Sequence, residues 1–248
     1  MGEVIIVTGA SRGIGAATAL LAAQRGYSVC VNFRENRAAA DGVVRAIEAT
    51  GGRAIGVAAD VSKETDVENL FETCDKSLGP PTALVNNAGI LEKQMRVEAM
   101  DSARIQRIFA TNVIGSFLCA REAVLRMSTK RGGSGGAIVN VSSGASRLGA
   151  PGEYVDYAAS KGAVDTLTIG LAKEVAVDGI RVNAVRAGYI YTDMHASGGE
   201  PGRVDRVKQF VPMRRGGTAN EVAQAILWLL SPAASFTTGS FIDVTGGN

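Results

Sequence analysis

The sequence predicts an α/β fold: a Rossmann-type, doubly wound sheet of seven parallel strands with helices on both faces, in a single domain over residues 1–248. Two observations carry this prediction. Short Val/Ile-rich runs, nearly all apolar and therefore suited to burial on both faces, alternate with longer helical stretches. Such alternation implies right-handed βαβ crossovers, which set strands parallel and cover both faces of the sheet. In addition, the first apolar run enters a glycine-rich turn, Thr8-Gly-Ala-Ser-Arg-Gly-Ile-Gly15, just where a helix should start. A length of 248 residues suits one α/β domain.

The elements follow in order. Val4–Val7 is wholly apolar and reads as the first strand, and the glycine turn launches a helix over Ile14–Arg25. Ser28–Phe33, Ala54–Ala58 and Ala83–Asn86 are the next strands, separated by helices over Arg37–Thr50 and Thr65–Leu78. A long helix is expected over Asp101–Lys130. Arg131-Gly-Gly-Ser-Gly-Gly136 is a surface loop and not a linker, because the strand Ala137–Val141 after it continues the same sheet. Tyr154–Val177 is helical, Ile180–Val185 a strand, Thr218–Leu230 a helix and Ser240–Val244 the last strand. Tyr189 to Pro212 breaks the alternation. A connection this long, after a strand's carboxyl end and carrying Gly198-Gly199 and Pro201-Gly202, reads as a substrate lid over about 189–212.

Composition excludes several classes. A net charge of +2, with no run of five like charges, argues against nucleic acid or an anionic membrane as partner. Cys30, Cys74 and Cys119 are odd in number and lack CxxC spacing, so neither a disulfide framework nor a metal site is expected. They read as small buried hydrophobes of a reducing compartment. The N-terminus enters a strand at once, without a signal peptide, and no apolar run is expected to reach membrane-spanning length. The expected location is cytoplasmic.

The glycine turn is a nucleotide cradle. Gly9 permits the turn, Gly13 lets backbone approach a pyrophosphate, and Gly15 permits close helix–sheet packing. Ser11, Arg12 and Ile14 belong to the same cofactor-binding turn, and the helix start offers N–H groups and a positive dipole to phosphates. The spacing is GxxxGxG rather than GxGxxG. Sites selective for NAD usually end the second strand with an acid. Here it ends Asn32-Phe33-Arg34. Arg12 and Arg34 can face a 2′-phosphate, so NADP is favoured, while Glu35 keeps NAD as the alternative.

Tyr157-Ala-Ala-Ser-Lys161 places a phenol and an ammonium four residues apart on one helix face. A nearby ammonium favours the phenolate and should lower the tyrosine pKa toward working pH. Such a tyrosine can exchange a proton with a carbonyl or alcohol oxygen, and Ser143, 14 residues upstream, could hold that oxygen.

Together these residues resemble the classical short-chain dehydrogenase/reductase family, from Thr8 to the terminal Val244-Thr-Gly-Gly247. Further matching motifs are Asp60-Val61, Asn86-Asn-Ala-Gly89, Asn112-Val113, Val141-Ser-Ser143 and Val182-Asn-Ala184. The resemblance implies that Asp60 and Val61 flank the adenine and that Asn86, Ala88 and Gly89 line the cofactor cleft. It implies a catalytic set of Asn112, Ser143, Tyr157 and Lys161, with Asn112 positioning a proton relay and Lys161 also holding the nicotinamide ribose together with Tyr157. Gly188, Ile190 and Thr192 match cofactor positions near the carboxamide. Ala187 stands where the family usually has proline, which loosens that turn. The implied activity is an NADP-dependent interconversion of an alcohol and a ketone or aldehyde. The substrate would be a small carbonyl or alcohol, with sugar or polyol dehydrogenases and 3-oxoacyl thioester reductases both open. A catalytically silent nucleotide-binding sensor is the alternative outside the enzyme class. The implied assembly is a homotetramer.

His195, the only histidine, reads as a lid residue facing the substrate with Met194. Trp228 reads as core or subunit interface, and Glu153 and Tyr154 as the edge of the substrate pocket.

Overall fold

All seven apolar runs pair side by side and parallel, in the order β3-β2-β1-β4-β5-β6-β7, in the computed structural model, which describes residues 2–248. The elements are β1 (Val4–Val7), α1 (Gly13–Gln24), β2 (Ser28–Phe33), α2 (Arg37–Glu48), β3 (Ala54–Ala58), α3 (Glu64–Ser77) and β4 (Ala83–Asn86). They continue with α4 (Ser102–Phe109), α5 (Gly115–Met127), β5 (Gly136–Ser143), α6 (Ala145–Leu148), α7 (Val155–Val175) and β6 (Ile180–Ala187). The chain ends with α8 (Met194–Ser197), α9 (Arg203–Val207), α10 (Ala219–Leu230) and β7 (Phe241–Val244). The order reverses at β1/β4, the switch point beside which doubly wound sheets hold their ligands.

Strand residues alternate between two cores. Ile5 and Val7 face the layer of α1, α2 and α10, packing with Ala19, Ile47 and Ile226. Val4 and Ile6 face the layer of α3, α5 and α7, packing with Phe71, Cys119 and Val175. All three cysteines are free and buried. The last helix starts on a capping box: Thr218 accepts from the Glu221 N–H, and the Glu221 carboxylate accepts from the Thr218 N–H.

The structure corrects or refines the reading at four points. The long helix over Asp101–Lys130 is divided by a π-helical turn at Ala110–Ile114, which carries Asn112. The run Ser102–Met127 is, by length and composition, apolar enough to cross a membrane, contrary to the sequence reading. It packs here as a core element, with Arg104 buried against Asp156 and the nearly buried Glu122 paired with Arg126. Finally, the segment over 189–212 is partly helical, containing α8, α9 and a 3₁₀ turn at Lys208–Phe210, and it buries Val204, Val207 and Val211. Trp228 is 42% exposed and so is not a core residue.

Candidate active site

Two adjoining cavities lie along the carboxyl edge of the sheet, fed by the segments that follow every strand. The first holds about 480 Å³ and is lined by Gly9, Ser11, Arg12, Gly13, Ile14, Arg34, Asp60, Val61, Ala88, Gly89 and Thr192. The second holds about 240 Å³ and is lined by Ser143, Tyr157, Lys161, Gly188, Ile190 and Thr192, with Met194 and His195 from the lid and Glu153 and Tyr154 from the approach to α7. Ile14, Asn87, Leu91, Thr192 and Met194 border both.

The first cavity fits a dinucleotide. Gly9 and Gly13 adopt φ of +62° and +56°, a left-handed backbone that disfavours any side chain. Arg12 stands at the N-cap of α1 in extended conformation and makes no capping hydrogen bond, so the first N–H groups of the helix are left for an anion. Gly15 stands outside the cavity. A Cβ there would lie 2.5 Å from Asn87 Nδ2 and from Gly9 O, so this glycine permits the packing of α1 on the turn. Arg34 is exposed and pairs with Glu35 at 2.8 Å. Asp60 Oδ1 accepts from the backbone N–H and hydroxyl of Ser62 at 3.0 and 2.7 Å, which fixes the turn it occupies.

Besides Gly15, two expected site residues do not reach the cavities. Asn86 is buried behind the site, its amide donating to Ser116 O at 3.2 Å and Asn140 Oδ1 at 3.0 Å. Its neighbour Asn87 lines the cleft instead, donating to Thr8 O at 2.8 Å and Gly9 O at 3.1 Å and so stitching the glycine turn to the end of β4. The double asparagine of the sequence contained that signal. Strand alternation turns consecutive side chains to opposite faces, and only the second leaves the strand. Asn112 is fully buried on the π-helical turn. Its Oδ1 accepts from Ile90 N–H at 2.8 Å, and its Nδ2 donates to Ile90 O at 3.1 Å and Ser160 Oγ at 3.0 Å.

At the catalytic end, Lys161 is buried and its ammonium donates to Val141 O at 2.7 Å, with Nζ 5.7 Å from the centre of the Tyr157 ring. Burial brings Lys161 down to about 8, opposed by the negative charge of Asp165. Burial pushes the Tyr157 phenol up, with Ser143 pulling the other way. The sequence expectation of a lowered tyrosine is therefore reversed: burial raises it and the Ser143 hydroxyl offsets only part of that, while Lys161 spends a hydrogen bond on the backbone of β5. The Ser143 hydroxyl donates weakly to Ala187 O at 3.4 Å and accepts from Ala145 N–H at 3.1 Å.

The segment over residues 189–212 forms one wall. His195 Nε2 lies 3.0 Å from Ile190 O, and burial lowers its pKa. Its Nδ1 is buried without a partner among the described residues. Arg203 lines the second cavity, lies over the Tyr154 and Tyr189 rings at 5.0 and 5.6 Å, and pairs with Glu153. Arg206 pairs with Glu200 and with Glu153, so the lid is joined to the approach to α7 by alternating charges. The sequence reading did not place Arg203 in the cavity. It also missed Thr245, which borders the same cavity and whose backbone a Cβ on Gly188 would approach to 2.7 Å.

Comparison with known proteins agrees with this geometry. A family model described as enoyl-(acyl carrier protein) reductase matches residues 9–248. A relative named uncharacterized oxidoreductase YgfF, from Escherichia coli strain K12, is 64% identical over 244 residues, covering 98% of this chain and 99% of its own. A 3-oxoacyl-(acyl-carrier-protein) reductase from Synechocystis is 40% identical over 246 residues, with 99% of this chain and 96% of the relative covered. Among solved structures, a dehydrogenase/reductase from Sinorhizobium meliloti 1021 is similar with a TM-score of 0.91 at 30% identity, covering 99% of this chain and 94% of that one.

Proposed function

Because the chain belongs to the classical short-chain dehydrogenase/reductase family, we propose that it is an NADP-dependent oxidoreductase interconverting an alcohol and a ketone or aldehyde. One observation carries the reading: Ser143, Tyr157 and Lys161 converge on a cavity that shares a wall with the glycine-turn cleft. A nicotinamide nucleotide, when bound, supplies or accepts the hydride. Gly9, Gly13 and the start of α1 hold its phosphates, with Asp60 and Val61 beside the adenine and Ile190 and Thr192 beside the carboxamide. Tyr157 then gives its phenolic proton to the substrate oxygen in reduction and takes it back in oxidation. A phenol pushed up by burial keeps that proton until the oxygen gains charge. Ser143 holds the oxygen, and Lys161 offsets the charge left on the phenolate. Asn112 holds Ile90 and Ser160 in place around this group.

Arg12 and Arg34 favour NADP. The Arg34–Glu35 pair is exposed, 52% and 77% at the side chains, and such pairs contribute roughly 0–1 kcal/mol, so a 2′-phosphate can take the arginine over cheaply. The small cavity, with its His195, Glu153 and Arg203, supports a small, partly polar substrate over a long acyl chain. Residues 189–212 act as the lid over it. We assign a homotetramer, supported by the exposed Ile105, Ile114, Phe117 and Leu125 along α4, α5 and the turn between them, with Ile169 on α7 and Trp228 on α10. Three free buried cysteines support a reducing, cytoplasmic location.

The test is Tyr157→Phe, assayed by NADPH absorbance against a panel of ketones, aldehydes and alcohols. Nucleotide binding should survive while turnover falls at least the roughly 10²–10⁴-fold expected for loss of a general acid/base. Near wild-type turnover would remove Tyr157 from the mechanism.

A further inference from the structure

A buried ion pair sits directly behind Tyr157. Asp156 and Arg104 have side chains only 2% and 5% exposed, and Arg104 Nε donates to Asp156 Oδ2 at 2.7 Å while its Nη2 reaches Oδ1 at 3.4 Å. Oδ1 also accepts the backbone N–H of Tyr157 at 2.9 Å, so the carboxylate touches the main chain of the proton donor itself. The remaining arm of the guanidinium, Nη1, donates to Lys93 O at 2.6 Å. Lys93 belongs to the segment that begins at Ile90 and Leu91 in the cleft wall and returns to the approach to α7, where Met95 N–H donates to Glu153 O at 3.0 Å. Two side chains thus tie together α4, the segment after β4 and the first turn of α7.

Stability alone does not explain such a pair. Desolvating two charges costs as much as their attraction returns, and buried pairs replaced by apolar residues of similar volume are often as stable or more so. A pair kept at the one turn that carries Tyr157 is accounted for by geometry. An acid in the first turn of α7 suits the helix dipole, and the planar fork of arginine fixes the direction of that acid in a way that a single donor does not.

We propose that Arg104 and Asp156 are positioning residues for the proton transfer: they lock the first turn of α7 so that the Tyr157 hydroxyl is held at the substrate oxygen. Neither touches substrate or nucleotide; both act through the backbone of Tyr157. This rests on the reading of Tyr157 as proton donor. Displacing a reacting group by about 1 Å can cost on the order of 10² in rate, which sets the scale of the effect.

The test compares wild type with the double variant Arg104→Met/Asp156→Leu, which replaces the charges by apolar volume, and with the milder Arg104→Lys, which keeps the charge and loses the fork. Thermal unfolding, NADPH affinity, kcat and the solvent deuterium isotope effect on kcat are measured with whichever panel carbonyl wild type reduces fastest. The double variant should melt at or above the wild-type temperature and bind NADPH as wild type does. Its kcat should fall about 10- to 100-fold while the isotope effect rises, because the misplaced proton becomes rate-limiting. Arg104→Lys should show the same changes to a smaller degree, and it decides the matter if the double variant does not fold. Wild-type kcat and isotope effect in the folded variant overturn the positioning role alone. A loss of rate with an unchanged isotope effect also overturns it, as does a parallel loss of NADPH binding. A wild type that reduces none of the panel overturns the oxidoreductase reading and the positioning role with it.

Discussion

Lys161→Met should separate the energetic cost of the catalytic lysine from its use. In the folded chain Lys161 titrates at about 8, against 10.5 for an unburied lysine, and the largest cause is desolvation. Between pH 8 and 10.5 the unfolded chain therefore keeps a proton that the folded chain has released, and stability rises with pH across that window. At pH 7 both states carry the charge, and the folded state bears the full burden of desolvating it, about 3 kcal/mol. Methionine fills a similar volume without a charge and escapes this burden, although it leaves Val141 O without its donor, a loss of about 1–3 kcal/mol. The net change at pH 7 is consequently small, while the pH dependence is not. Wild type should gain about 2 to 3 kcal/mol relative to Lys161→Met between pH 7 and pH 10. Denaturant titrations of both proteins at the two pH values, followed by circular dichroism, read this directly. Turnover in the variant should be nearly abolished. Two stability curves that run parallel from pH 7 to pH 10 would refute the buried-charge argument.

The remaining expectations concern the cleft, the lid and the assembly. Arg34→Ala should weaken NADPH binding and leave NADH nearly unchanged in fluorescence titration; a wild type that binds NADH more tightly than NADPH contradicts the assignment. Hydrogen exchange over residues 189–212 should slow when NADPH binds and slow further with substrate, because the segment borders both cavities; identical protection in all states means a rigid surface segment. Light scattering at micromolar concentration should give about four times 25.6 kDa, and a monomer mass would leave the exposed apolar helix faces without a role.

The sheet was legible in the sequence because its strands are buried on both faces and therefore continuously apolar. The bounds of β1 to β4 agree residue for residue with the reading, while β5 and β6 run two residues further, through Ser143 and Ala187. Those extensions are polar or small at the strand ends, where pattern alone gives no signal. The glycine turn was legible because its chemistry is local: only glycine adopts the backbone angles of positions 9 and 13 without strain. Asn86 and Asn87 were interchanged in role because the end of a strand decides which of two identical side chains leaves it. The π-helical turn at Asn112 was invisible, since one extra residue in a helical turn leaves no mark on an apolar pattern. The tyrosine pKa was misread because spacing reports a neighbouring charge but not the depth of burial, and burial dominates here. Arg104 and Asp156 stand 52 residues apart, and nothing local in the chain links them.

The wall common to the two cavities has a thermodynamic consequence. Ile14, Asn87, Leu91, Thr192 and Met194 each present surface to both sides. A ligand that sets the rotamers of these side chains in one compartment also reshapes the other, so the two affinities are coupled, and by linkage equally in both directions. The larger compartment is backed by the glycine turn, whereas the smaller one is walled in part by residues of the short helices α8 and α9. Five shared side chains thus turn two neighbouring cavities into one coupled binding unit, in which occupancy of either changes the affinity of the other.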